Sequence, residues 1–144
     1  MKSSFIYSAL LLLLICTSCN QLSKEEQEFD ILMQKIIDVH DEVMPKMGEM
    51  SSLIKELETK VDTTAQGQSY AKAQQDVKDA YDFMMSWMSE FSDTFPHQEE
   101  DQKVDKEKMS SQMKLLQEEE VKVNKLKDQI NASIENAKQI LKKS

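Results

Sequence analysis

Apolar residues recur at intervals of three and four positions along three long stretches of this 144-residue chain. Such spacing places apolar side chains on one face of an α-helix, whereas a half-buried β-strand alternates at every second residue. The chain holds only two glycines and two prolines, so it lacks the frequent turn residues of a β-sandwich. These features predict an all-α fold in which amphipathic helices pack their apolar faces together.

The first predicted helix begins at a capping box formed by Ser23 and Glu26. Pro45 lies inside it, and a proline removes one backbone donor and displaces the carbonyl four residues earlier. The helix therefore either kinks near Pro45 or divides in two, and the apolar pattern, which continues in register, favours the kink. That pattern comprises Phe29, Leu32, Met33, Ile36, Val39, Val43, Met47, Met50, Ile54, Leu57 and Val61.

Two further helices are predicted, over about residues 69–94 and 105–142, where the same spacing returns. Asp62–Gln68 forms the first connection and residues 95–104 form the second, because each lacks the apolar pattern. Asp105 would cap the third helix. Since the three helices follow one another through short connections, we predict an antiparallel, up-down-up three-helix bundle with long helices.

The predicted buried faces of these two helices follow from the same spacing. In the second helix they are Ala73, Val77, Ala80, Met84, Trp87, Met88 and Phe91, widened by Tyr81 and Met85. In the third helix they are Met109, Met113, Leu116, Val123, Ile130, Ile134, Ala137 and Leu141. The charge run Glu118–Glu120 is predicted to lie on a solvated face.

A short hydrophobic segment, Phe5–Ile15, follows the positive charge of Lys2 near the start of the chain. It has the size of a secretory signal peptide and is shorter than the roughly 18 residues that span a membrane. Thr17 and Ser18 then precede Cys19, and this order resembles the lipobox of bacterial lipoproteins. The resemblance implies cleavage before Cys19 and attachment of a diacylglycerol to its thiol.

Cys16 occupies the position where leucine is commonest in a lipobox. Cys16 is not favoured as the modified residue, because bulky Ile15 would then stand just before the cut, where a small residue is expected. The predicted organisation is a lipoprotein signal peptide over residues 1–18, a lipidated cysteine and tether over residues 19–23, and a helical bundle over residues 24–144. The expected location is the bacterial envelope, at the outer membrane, with the periplasmic and surface faces both left open.

Composition and motifs argue against several classes of function. The formal net charge is −8 and every basic residue is lysine, whereas nucleic-acid and phosphate binders depend on arginine forks and basic stripes. Motifs of nucleophilic or zinc-dependent enzymes are absent from the sequence, so we predict a protein that is not an enzyme. His97 lies beside Glu99, Glu100 and Asp101, and we interpret this cluster as a solvated loop rather than a metal site.

Methionine is unusually frequent, with ten residues in the chain. If the first two helices fold back about residue 65, Met44 and Met47 lie level with Met84–Met88. If the next pair folds back about residue 100, Met109 and Met113 reach the same layer. Three methionine clusters would then converge at one height of the bundle.

Two interpretations of this layer stay open. Methionine is a flexible side chain that fills irregular helical cores and packs well on aromatic rings. Thioether and imidazole ligands also select Cu(I), and an aromatic face can add a cation–π contact. The candidate Cu(I) ligands are His40, Met44, Met47, Met84 and Met88, with Trp87 as their aromatic neighbour.

Two segments carry a family resemblance. His40–Gly48 reads HDEVMPKMG, and Met84–Met88 reads MMSWM and is followed by Phe91. These segments resemble a group of small helical lipoproteins of Bacteroidota that automatic labelling often calls "viral A-type inclusion protein". The resemblance implies a lipid-anchored envelope protein and brings no enzymatic activity with it.

The sequence therefore predicts a lipid-anchored, non-enzymatic helical module that binds an envelope protein or has a structural role near the membrane. The partners expected are the membrane, through the lipid, and an envelope protein that the sequence does not identify; nucleic acid is not expected. The alternative is a periplasmic protein that binds Cu(I) or another metal through its methionine, histidine and tryptophan layer. No other cofactor is expected.

Overall fold

The structure, a computed structural model, describes residues 23–96 and 106–142. These residues form helices and short connections and contain no strand, which confirms the predicted helical bundle. The helices are α1 (Lys24–Val43), α2 (Met47–Glu58), α3 (Ala65–Thr94) and α4 (Lys106–Lys142), with a 3-10 turn at Met44–Lys46. The predictions for the leader, Cys19, the loop around His97 and the cap at Asp105 lie outside the described residues.

Cross-helix contacts give the direction of each helix. Glu42 pairs with Lys127 of α4 and Lys46 donates to Asn131 of α4, in both cases across 85 positions, so α1 and α4 run in the same direction. The contacts of α3 run the other way. Gln74, near the start of α3, donates to Ile54 of α2, whereas Met88, near its end, meets the earlier residue His40. We call α1, the 3-10 turn and α2 together the first helical segment. This segment, α3 and α4 are therefore arranged up, down and up.

The core follows most of the predicted stripes. Buried apolar side chains come from every helix and pack into one cluster. Three buried residues, Leu53, Tyr70 and Leu126, lie outside the predicted stripes, whereas Val61 and Met85 of those stripes are 41% and 45% exposed. The buried apolar residues are Ile36, Val43, Met47, Met50, Leu53, Leu57, Tyr70, Ala73, Val77, Ala80, Met84, Trp87, Leu116, Val123, Leu126, Ile130, Ile134 and Ala137.

Pro45 interrupts the first helical segment. It lies within the 3-10 turn, where the amide of Met47 donates to the carbonyl of Met44. Proline has no amide hydrogen, so the backbone bond to the carbonyl four residues earlier cannot form. The buried pattern nevertheless continues through Val43, Met47 and Met50. The structure thus shows two helices joined by a tight turn, and the predicted kink stays a prediction.

The turn between α2 and α3 is shorter than the sequence pattern indicates. Thr64 is the N-cap of α3, and its hydroxyl accepts a hydrogen bond from the amide of Gly67 at 3.0 Å. The carboxylate of Asp62 accepts hydrogen bonds from the hydroxyl and from the amide of Thr64, and these bonds lower the pKa of Asp62. Residues 65–68, predicted as part of the connection, are therefore the first turn of α3.

Gly67 allows this close approach because it has no side chain. A Cβ at this position would collide with the side chain and backbone of Asp62. We expect Gly67→Ala to lower the free energy of unfolding by about 1–3 kcal/mol, the usual range for overpacking. Urea denaturation followed by circular dichroism measures the change.

Gly48→Ala is the matched control for Gly67→Ala. A Cβ at Gly48 would meet nothing within 4 Å, and Gly48 lies inside α2. Alanine is the better helix former there by roughly 0.5–1 kcal/mol, so this variant should be more stable than the parent. If Gly67→Ala stabilised the protein as much as Gly48→Ala does, the close packing between Gly67 and Asp62 would be contradicted.

None of the helices within residues 23–96 and 106–142 combines the length and the apolar character that a membrane crossing requires.

Candidate functional site

The structure brings three of the predicted site residues together, one from α1 and two from α3. The Nε2 atom of His40 lies 3.3 Å from the Sδ atom of Met88. The imidazole of His40 also lies beside the indole of Trp87, with 5.9 Å between ring centroids and 33° between ring planes. This pairing agrees with the predicted fold-back near residue 65, which places these residues at the same height.

The remaining candidate ligands divide into two groups. Met44 follows His40 by one helical turn and is 38% exposed. Met47 and Met84 are core residues, with 8% and 0% of their surfaces exposed. Within the described ranges, the sulfur of Met88 is the only one that lies within hydrogen-bonding distance of His40.

The third methionine cluster does not join this layer, which corrects the prediction. Because α1 and α4 are paired with an offset of 85 positions, Met113 lies level with Glu28. Along the bundle axis, Met113 therefore lies about 18 Å from His40, at a rise of 1.5 Å per residue. The indole of Trp87 contacts Glu119 of α4, six positions after Met113.

Met109 and Met113 instead line a cleft at the N-terminal ends of α1 and α4. The cleft has a volume of about 490 Å³ and an acidic wall from α1. Lys106 and Lys114 contribute positive charge from α4. This cleft is separate from the site around His40.

A row of aromatic rings extends from the site. The ring centroids of Trp87 and Phe91 are 5.1 Å apart, and those of Phe91 and Phe95 are also 5.1 Å apart. Phe29 of α1 completes the row, 6.2 Å from Phe95. Tilted aromatic pairs at these separations stabilise a core beyond the area that they bury. Trp87 therefore connects the polar site to the aromatic part of the core.

Glu119 is buried, contrary to the predicted solvated face over Glu118–Glu120. It is only 5% exposed, and its Oε2 atom accepts a hydrogen bond of 2.8 Å from the indole Nε1 of Trp87. Its Oε1 atom accepts from the ammonium of Lys122 at 2.7 Å, and this bond raises the pKa of Lys122. Both carboxylate oxygens are thus satisfied, as a buried charge requires.

The sequence contains a signal for Glu119 that the charge run obscures. Glu119 stands three positions after Leu116 and four before Val123, which is the spacing of a continuous buried stripe. Ser133, which is 6% exposed, has no such signal, because Ile134 continues the apolar stripe from Ile130 to Ala137. A break in the apolar stripe therefore marks Glu119 and not Ser133.

Asp41 orients the imidazole of His40. Its Oδ1 atom lies 2.9 Å from Nδ1 of His40, on the opposite side of the ring from Met88. When the ring is neutral and its proton is on Nδ1, that proton is donated to Asp41, and Nε2 then presents a lone pair to the sulfur of Met88. In the part of the chain that the structure describes, no group of three or more His, Cys, Asp or Glu side chains is placed to hold a metal ion.

No known protein family, curated protein or solved structure matches this chain. The function is therefore inferred from the residues and their geometry.

Proposed function

We propose that this protein is a lipid-anchored, non-enzymatic helical module of the bacterial cell envelope that binds another envelope protein. Residues 1–18 are removed as a lipoprotein signal peptide, and Cys19 carries the lipid. The bundle, kinked at Pro45, is held at the outer membrane. Since the lipid supplies the membrane affinity, the acidic bundle needs no attraction of its own to anionic lipids.

The start of the first described helix supports this proposal most directly. Ser23 and Glu26 form a complete capping box, with hydrogen bonds of 3.2 and 2.7 Å, so α1 begins firmly at Lys24. The segment Asn20–Leu22 separates Cys19 from this cap and spans at most roughly 10–14 Å when fully extended. A lipid on Cys19 would therefore hold the first turn of α1 close to the bilayer surface.

The length of the bundle suits a binding role. α4 has 37 residues, which corresponds to about 55 Å at 1.5 Å per residue. Along such a rod, a partner protein could contact two neighbouring helices over several turns. The proposed module therefore presents a long helical surface away from its anchored end.

The acidic residues support a scaffold rather than a catalytic centre. Glu49 pairs with Lys138 at 2.5 Å and Glu42 pairs with Lys127 at 2.6 Å, so each joins the first helical segment to α4. The bond from Lys127 lowers the pKa of Glu42. Buried Glu119 is fully engaged by its two donors. These carboxylates are therefore used to hold the helices together.

Cross-linking in intact cells tests the proposed binding role. The full chain, tagged at its C-terminus, is cross-linked and purified from the envelope, and mass spectrometry identifies the adducts. The matched control is residues 1–23 fused to an unrelated soluble domain, which has the same anchor and no bundle. We expect one or a few envelope proteins to cross-link to the full chain and not to the control. Identical adducts from both proteins, or none from either, would overturn the proposal.

A further inference from the structure

Two residues of the first helical segment and two residues of α3 place soft ligands at the same height on the bundle surface. His40 and Met44 are four positions apart, and Met85 and Met88 are three positions apart, so each pair shares one helix face. His40 contacts Met88, and α3 runs antiparallel to α1, so the register places Met44 within about one residue of the height of Met85. We infer that His40, Met44, Met85 and Met88 bind a single Cu(I) ion.

This ligand set differs from the one that the sequence indicates. Met47 and Met84 are excluded because they fill the core, where only 8% and 0% of their surfaces are exposed. Met85 replaces them, since it is 45% exposed and precedes Met88 by three positions on the same helix face. Burial therefore separates the methionines that pack from those that can bind an ion.

The separation of His40 and Met88 fits one shared metal ion. Bonds from a first-row metal to nitrogen and sulfur are about 2.0 and 2.3 Å long, so two such ligands lie roughly 3.3–3.7 Å apart at angles of about 100–120°. The observed distance between Nε2 and Sδ is 3.3 Å. The two donor atoms are therefore already positioned for a common ion.

The second ring nitrogen of His40 prepares the first for binding. With its proton on Nδ1, the neutral ring donates a hydrogen bond to Asp41 across 2.9 Å, and this leaves Nε2 as an electron-pair donor. A carboxylate on the distal nitrogen of a metal-binding histidine orients the ring and raises its basicity. Asp41 is therefore a positioning residue in this site.

The chemical nature of the donors selects the metal. Three thioethers and one imidazole are soft or intermediate ligands, which favour Cu(I) over the hard cations that carboxylates bind. The site is open to solvent, because the side chain of His40 is 24% exposed and Met44 is 38% exposed. Trp87 lies on the inner side, with its ring centroid 5.9 Å from that of His40. An ion would therefore enter the site from solvent and, once bound, lie next to the indole of Trp87.

A competition titration tests this inference independently of the lipid anchor. The full chain with Cys16→Ser and Cys19→Ser is used in detergent, so that no thiol competes for the metal. Cu(I) is supplied under reducing conditions in the presence of bathocuproine disulfonate as the competing chelator. We expect one Cu(I) per chain with a Kd tighter than about 1 μM. The fluorescence of Trp87, the only tryptophan of the chain, should be quenched as the ion binds.

Methionine-to-leucine variants assign the ligands, because this exchange conserves volume and keeps the fold. Met88→Leu should weaken Cu(I) binding by at least about tenfold, and Met44→Leu and Met85→Leu should weaken it as well. Met50→Leu is the matched control, since Met50 is fully buried in α2, and its affinity should equal that of the parent. Binding weaker than micromolar, or equal affinities of Met88→Leu and Met50→Leu, would overturn the inference. Unchanged binding by both Met44→Leu and Met85→Leu would overturn the four-residue site.

Discussion

Replacing Trp87 with alanine is expected to lower the free energy of unfolding by about 3–5 kcal/mol, the range observed when a buried aromatic side chain is truncated. Trp87 is only 3% exposed and contacts the rings of Phe91 and His40. Its loss also removes the donor to Glu119, which leaves a buried carboxylate oxygen without its partner. Urea denaturation followed by circular dichroism measures the loss without relying on tryptophan fluorescence.

Two further substitutions separate packing from hydrogen bonding at this position. Trp87→Phe keeps an aromatic ring but loses the indole donor, so it should cost about 1–3 kcal/mol. Val121→Ala is the control on the surface of α4, because Val121 is 69% exposed, and it should change stability by less than about 0.5 kcal/mol. A loss for Trp87→Ala no greater than that for Val121→Ala would contradict the central position of Trp87 in the core.

The helical segments could be predicted from the sequence because their signals are local. The spacing of apolar residues marks α1, α3 and α4, and the capping box at Ser23 marks where the first of them begins. The start of α3 was misplaced because Gly67 resembles a turn residue in sequence, whereas in the structure it is needed for contact with Asp62. Such a contact between residues of a turn and a helix is not visible in the apolar pattern.

The candidate site could be predicted only in part. His40 and Met88 were placed together because the first connection is short and fixes how α3 folds back along the first helical segment. The predicted position of α4 along α3 was wrong. The polar connection after α3 has no periodic pattern, so the sequence does not show at which residue the chain turns back. Met113 consequently lies far from His40, and the position beside Trp87 is occupied by Glu119.

Replacing Cys19 with alanine is expected to abolish lipid attachment completely. The lipobox-like order Thr17, Ser18, Cys19 implies that this thiol is the acceptor, and under the proposal cleavage of the leader would follow its modification. The variant should therefore stay uncleaved and take up no radiolabelled palmitate in growing cells. Gel mobility and autoradiography of the immunoprecipitated protein measure both effects.

Cys16→Ala provides the matched control for lipidation. Cys16 lies three residues earlier in the same leader, where Ile15 would precede the cut. This variant should be cleaved and labelled like the parent. Continued labelling of Cys19→Ala would show that Cys19 is not the anchored residue, and loss of label from Cys16→Ala beside it would place the lipid on Cys16.

Extraction of native membranes with alkaline carbonate tests most directly whether a lipid holds this helical bundle at the bilayer. Two acyl chains bury many methylene groups, each of which contributes about 0.8 kcal/mol to membrane affinity, so carbonate should not release the protein. We expect the protein to remain in the membrane pellet after the wash and to enter solution only with detergent. Recovery of the protein in the carbonate supernatant would contradict the proposed anchor.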